Sequence, residues 1–178
     1  MNKKFPLLTG ILIYICSQLV YSTPDKVQLA VWANEAIIAT YTFNYKTYLE
    51  QQKEIAKYFT SDGWISYSKA LDTSKLPESV QKSLYDVTAV ATQPPKLVTL
   101  DPTHWQVIMT ILVVYQNPQY QQRQNLKVVM NFTQAPAGEG VRGLAISNLQ
   151  STVTEPPCQC PNPDLSNPPP ASKEVEKK

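Results

Sequence analysis

Apolar positions change their period along this chain, and each change predicts an element. Phe5 to Tyr21 is apolar apart from Thr9, Ser17 and Gln18, and it follows the basic pair Lys3–Lys4. From Val27 the spacing becomes helical. Val27, Ala30, Val31, Asn34, Ile38 and Tyr41 predict one face of a first helix, widened by Trp32 and Ile37. Thr23-Pro24-Asp25 supplies its start: a cap residue, a proline at the first helical position and an early acid. After Asn44 the spacing restarts, with Tyr45, Tyr48, Leu49, Gln52, Ile55, Ala56 and Phe59 on one side. Lys46, Glu50, Lys53, Glu54 and Lys57 take the other, so a second, amphipathic helix is expected. A third, shorter helix follows Ser61-Asp62-Gly63, with Ser61 as cap and Trp64, Ser68 and Leu71 on one face. Pro77 begins a further turn or two ending near Leu84.

The second half reads as strand. Tyr85 to Ala91 and Lys96 to Leu100 are separated by Pro94-Pro95, which marks a bend or an edge. His104 to Tyr115 is rich in Val, Ile, Trp and Thr, and is apolar on both faces from Val107 to Val114, as a covered central strand would be. Leu126, Val128, Met130 and Phe132 alternate with Lys127, Asn131 and Thr133, a half-buried pattern, and Leu144 to Val153 gives a last strand. The connections Gln116 to Asn125 and Gln134 to Gly143 hold Pro, Gly, Asn and Gln and fit antiparallel hairpins with long loops. Helices first and a meander second predict an α+β fold, with the N-terminal helices packed on one face of a curved antiparallel four-stranded sheet.

Composition narrows the function. The chain has 178 residues, 43% apolar and 17% charged, enough for one core and too apolar for disorder. Its 16 basic and 14 acidic side chains form no basic block that could follow a phosphate backbone, so no nucleic-acid partner is expected. The N-terminal segment, residues 1–22, reads as a signal peptide cut between Ser22 and Thr23, with an uncleaved anchor as the competing reading. Ile15 before Cys16 is too large for a lipobox, so lipidation there is not expected. Removal of Lys3 and Lys4 leaves 14 basic against 14 acidic residues, so the mature chain is neutral overall, with its folded domain expected over 23–154. Residues 155–178 form a tail with seven prolines between Pro156 and Pro170, expected to be extended, solvated and disordered, or to act as a spacer or docking peptide. Cys158 and Cys160 open it. In an exported chain an oxidised pair or a crosslink between chains is the expected state, since a metal would lack its other ligands.

Candidate chemistry is sparse. His104 is the single histidine, and it begins a predicted strand beside Trp105. Gly138, Gly140 and Gly143 lie in a hairpin connection rather than between strand and helix, so they do not cradle phosphate. Asp62, Asp72, Asp86 and Asp101 fall at predicted element ends, where capping and turns account for them. Asn131-Phe132-Thr133 matches a glycosylation sequon, but its place in a predicted strand makes it a chance match. No catalytic, cofactor-binding or metal-ligating set is expected.

Four segments in order resemble one family. Trp32-Ala33-Asn34-Glu35-Ala36, then Tyr58-Phe59-Thr60-Ser61-Asp62-Gly63-Trp64, are similar to the opening of the IcmL/DotI proteins of bacterial type IVB secretion systems. Trp105-Gln106-Val107 with Leu112-Val113-Val114-Tyr115-Gln116, and Arg142-Gly143-Leu144-Ala145-Ile146-Ser147, complete the resemblance over about Val27 to Val153. The resemblance implies a periplasmic domain with the cone of the nuclear-transport-factor-2-like superfamily. It implies a non-enzymatic role in building a secretion or conjugation channel through contacts with other apparatus proteins and with further copies of itself, without a cofactor. Members of the family have a longer cytoplasmic stretch than the few residues before Phe5 and lack this tail, so an exported soluble paralogue also fits. The alternative class is a periplasmic cone-fold protein that binds a small molecule, or an isomerase or cyclase. That reading requires a buried Asp86 acting as general base and facing a tyrosine or His104.

Overall fold

The computed structural model describes residues 25–154 and 158–159. Helix α1 (Lys26–Thr40) leads through the two-residue strand β1 (Phe43–Asn44) into α2 (Tyr48–Ala56), α3 (Ser61–Ser74) and α4 (Leu76–Lys82). Six strands follow: β2 (Asp86–Ala91), β3 (Lys96–Asp101), β4 (His104–Gln116), β5 (Gln121–Gln134), β6 (Leu144–Val153) and β7 (Cys158–Gln159). The fold is the expected α+β cone, a curled antiparallel sheet with its helices on one face. The sheet has five substantial strands and two of two residues, where four were expected.

β4 and β5 are its spine, paired from His104↔Thr133 to Gln116↔Gln121. One edge of β4 is shared, β3 pairing its His104–Ile108 half and β2 its Ile111–Gln116 half. The far edge of β5 is shared in the same way. β6 pairs from Gln134 to Leu126, and β7 resumes at Arg123 and Gln122. Register shifts at Thr99/Asp101 and at Asn131/Phe132 bend the sheet, as bulges do.

The helices cover the face made by Trp105, Val107, Met109, Ile111 and Val113, all buried, together with Val128, Met130 and Phe132 from β5. Ile108, Leu112 and Val114 on the other face are only half-buried. β4 is therefore central, but it is covered on one face rather than two, because the described helices lie on one side. α1 contributes Leu29, Trp32, Ala33, Ala36, Ile37 and Thr40 to the core, at helical spacing. That is not the expected face. Val27 and Val31 remain 65% and 58% exposed. α1 is apolar around most of its circumference, and the two small alanines on the buried side allow the helix to approach the sheet closely.

Several boundaries also differ from expectation. The second helix begins at Tyr48 instead of Tyr45, because Phe43–Asn44 pair with Val87 and Asp86 instead. α3 is longer than α2, at 14 residues against 9, and its cap is Thr60 rather than Ser61. Thr60 Oγ1 accepts the Gly63 N–H at 3.1 Å. The expected long loop from Gln116 to Asn125 is a tight turn. Asn117 Oδ1 accepts the N–H groups of Gln119 (2.9 Å) and Tyr120 (2.7 Å), and the polar run after it is strand. Cys158–Gln159 pair with β5, so the tail begins inside the sheet. The signal-peptide and Thr23 cap readings, Cys160 and the rest of the tail lie outside the described residues.

Candidate functional site

All but one of the pieces that carry the resemblance meet at one end of the sheet. The Trp32 indole N–H of α1 donates to the Val141 carbonyl at 3.0 Å, and its ring centre lies 5.1 Å from Phe132, which stacks 5.5 Å from Trp105. One turn further along α1, Glu35 accepts from the Tyr58 hydroxyl (3.0 Å) and from the Arg142 guanidinium (2.5 Å). The Arg142 hydrogen bond holds the Glu35 carboxyl below its ordinary value, while burial and the Glu35 charge push the Tyr58 hydroxyl up. Thr60 N–H donates to Ile146 O (2.9 Å) and Ile146 N–H to Tyr58 O (2.7 Å), so Tyr58–Thr60 run along the edge of β6. Gly63 lies against that join, where a Cβ would sit 2.4 Å from Ile146 O. Ser61 bonds Glu139 of the β5–β6 connection. These residues lock α1, the α3 start and the connection together. Leu112–Gln116 lie further along β4, away from this cluster.

The candidate acid–base residues are not brought together. Asp86 is exposed rather than buried, and its carboxylate accepts from Asn44. It pairs with Gln116, at the opposite end of β4 from His104, roughly 40 Å along the strand at about 3.3 Å per residue. The buried general base required by the alternative reading is thus not formed: β2 places Val87 and Ala89 on its inward face and Asp86 on the outward one. His104 Nδ1 lies 2.9 Å from Asp101, both half-exposed. Asp101 is drawn down to about 2, first by the Thr103 backbone N–H and then by His104. Asp62 and Asp72 are exposed on α3. Asn131 of the sequon is engaged in the sheet, where it accepts from Gln106 at 3.0 Å. Among the described residues no three His, Cys, Asp or Glu side chains group as metal ligands, and no helix is long and apolar enough to cross a membrane.

Two surface features escaped the sequence. The first is a groove of about 360 Å³ at the start of α1, where Val27, Val31, Leu29 and Trp32 face Leu144 and Arg142. The second is a cleft of about 530 Å³ where the end of α1, the second half of α3 and strands β4–β6 diverge, lined by Tyr41, Tyr67, Tyr115, Gln124 and Ser151. Burial pushes the Tyr41 hydroxyl up to about 12, against a hydrogen bond with Ser151, and raises Tyr67 and Tyr115 as well. Their separation along the chain hid the cleft, and only the abundance of tyrosine, ten in all, hinted at it.

Comparison with known proteins places this arrangement. Residues 15–153 match the family model for the DotI/IcmL inner-membrane complex component of the type IVB secretion system. The chain is similar to an IcmL-like type IV secretion system protein of Legionella pneumophila, with 72% identity over 78% of this chain and 100% of that one, and a TM-score of 0.74. It is similar to the periplasmic domain of DotI, with 30% identity over 74% of this chain and 98% of that one, TM-score 0.68. A periplasmic fragment of TraM, at 16% identity over 72% and 98% of the two chains and a TM-score of 0.63, shares the fold. No curated protein matches the chain.

Proposed function

The chain belongs to the DotI/IcmL family of the type IVB secretion system, and from that premise we propose that it is a non-enzymatic periplasmic scaffold of the apparatus. It is a secretion-apparatus protein that interacts with other apparatus proteins. Within the proposal, residues 23–154 form the periplasmic domain, residues 1–22 deliver it as a cleaved signal or hold it as an anchor, residues 155–178 follow as a tail, and the domain associates with further copies of itself.

The observation that carries the non-enzymatic reading is the lack of acid–base groups on the helix-covered side of the sheet. Val107, Met109, Ile111, Val113, Val128, Met130 and Phe132 pack there, each at most 1% exposed, and no charged side chain lines the cleft beside them. The carboxylates that could do acid–base work lie on the outside and far apart. Val27 and Val31, apolar and exposed on the outer side of α1, support a role in protein contact. Photo-crosslinking in the host envelope from a reactive residue at Val31 tests this reading. Adducts with apparatus subunits or a second copy are expected. Adducts with neither, alongside normal expression, would refute the contact role of this face.

A further inference from the structure

β6 pairs with β5 along one edge, and Tyr58–Thr60 bond its other edge only at Ile146. Beyond that point the outer edge is open. The Thr154 N–H donates to Asn125 O on β5 at 3.0 Å. Bonds in an antiparallel ladder take every second residue, so Gln150 and Thr152 also face β5, while Leu149, Ser151 and Val153 turn their N–H and C=O groups outward. No described residue bonds those outward groups. Folded proteins blunt such edges with charge or proline. β3 does so: Lys96 and Asp101 stand at its ends, between Pro94-Pro95 and Pro102. Residues 144–154 hold neither a charged side chain nor a proline.

The cleft beside this edge sets the chemistry of a strand that could join it. Leu149, Ser151 and Val153 line it from β6, and Tyr67, Leu71 and Ser74 line it from α3. A strand added to β6 sends every second side chain into that space, on the face that Leu149, Ser151 and Val153 share. No charged side chain lines the cleft, so a charge at those positions would lose its hydration without compensation. β6 itself meets the requirement, since Leu149, Ser151 and Val153 are all uncharged. A two-fold axis at Ser151 sets Leu149 of one copy opposite Val153 of the other. The outward groups then form about six backbone hydrogen bonds, and each copy offers the other the same surface.

We propose that the outer edge of β6, Leu149–Val153, is a docking surface on which a second copy lays its own β6 antiparallel, joining the two sheets into one. The inference rests on the self-association proposed above and gives it a surface. Five residues of edge and the side chains beneath them fall below the roughly 1,200 Å² of a standard interface, so the pairing is transient and follows protein concentration.

Amide exchange and sedimentation of the full chain, followed from micromolar to millimolar concentration in mild detergent, test this. The Leu149, Ser151 and Val153 amides are expected to slow several-fold as the dimer forms, while those of Gln150 and Thr152, already bonded to β5, stay unchanged. Val153→Lys keeps every backbone group but sets an ammonium against Leu149 of the second copy, and it is expected to abolish both the slowing and the dimer. Gln150→Lys, a charge on the opposite face of the strand, is expected to leave both in place. A dimer that leaves the three amides fast, or that survives Val153→Lys, would overturn the proposal and move self-association to another surface. A chain that stays monomeric at every concentration would overturn self-association itself. Slow exchange of the three amides at every concentration would mean that the edge is covered within one chain, and would also overturn the proposal.

Discussion

Replacing Gly63 by alanine sets helix propensity against a steric clash, and the geometry says which wins. In an open helical position the change would stabilise by about 1 kcal/mol. At Gly63 the new Cβ falls 2.4 Å from Ile146 O, 3.0 Å from Thr60 Oγ1 and 3.1 Å from Ser147 O. An ordinary carbon contact requires roughly 3.5 Å, so the start of α3 must move by about 1 Å from β6. That movement stretches the 2.9 Å bond from Thr60 N–H to Ile146 O beyond hydrogen-bonding range and disturbs the Thr60 cap. Losing the bond costs about 1 kcal/mol, the cap about 1 kcal/mol, and repacking about 1–3 kcal/mol. Set against the helix gain, the expected net destabilisation is about 2–4 kcal/mol. Urea unfolding followed by tryptophan fluorescence reads it as a lower midpoint at constant slope. Ser66→Ala, on the exposed face of the same helix, is the control and should stay within about 0.5 kcal/mol of the unaltered chain. A Gly63→Ala protein as stable as the unaltered one would refute the close approach of α3 to β6.

Other expectations follow from the same packing. Phe132→Ala removes a fully buried ring stacked on Trp105 and tilted against Trp32, and should cost about 3–5 kcal/mol in the same assay, with a small loss refuting its central place. A double-mutant cycle on Glu35→Gln and Arg142→Gln should give a coupling of about 0–1 kcal/mol, since both groups are half-exposed. Its pH dependence has a fixed sign. Glu35 is held below 4.5 in the folded state, so its contribution is complete above the unfolded value and is lost as pH falls through the folded one. A coupling that grows in acid would contradict the pairing. The Thr103 amide resonance should follow Asp101 with a midpoint of about 2, and a midpoint at the ordinary 3.8 would remove the Thr103 and His104 bonds from solution.

Much of the fold was legible because the signals were local. The charged face of α2, the Val/Ile run of β4 and the alternation in β5 each announce an element within a dozen residues. What escaped depended on partners distant in sequence. The buried side of α1 is chosen by the alanines that fit the sheet, and apolar residues on both sides of the helix left the pattern undecided. Gln121–Asn125 read as loop because they are polar, yet pairing with Leu112–Gln116 extends the hairpin through them. Thr60 rather than Ser61 caps α3 because Tyr58–Thr60 are already fixed against Ile146. The family segments were visible as strings, but their common purpose, Glu35 joined to both Tyr58 and Arg142, is visible only in three dimensions. The tyrosine cleft is assembled from elements spread from α1 to β6 and had no sequence signature.

Everything above makes this chain a working part of a secretion apparatus that acts through protein contacts. The most direct measurement is purification of the full chain from its native host in mild detergent through a tag after Lys178, with the co-purifying proteins identified by mass spectrometry. Several subunits of one type IVB apparatus are expected at reproducible ratios. Recovery of the chain alone, freely soluble and without any of those subunits, would contradict it.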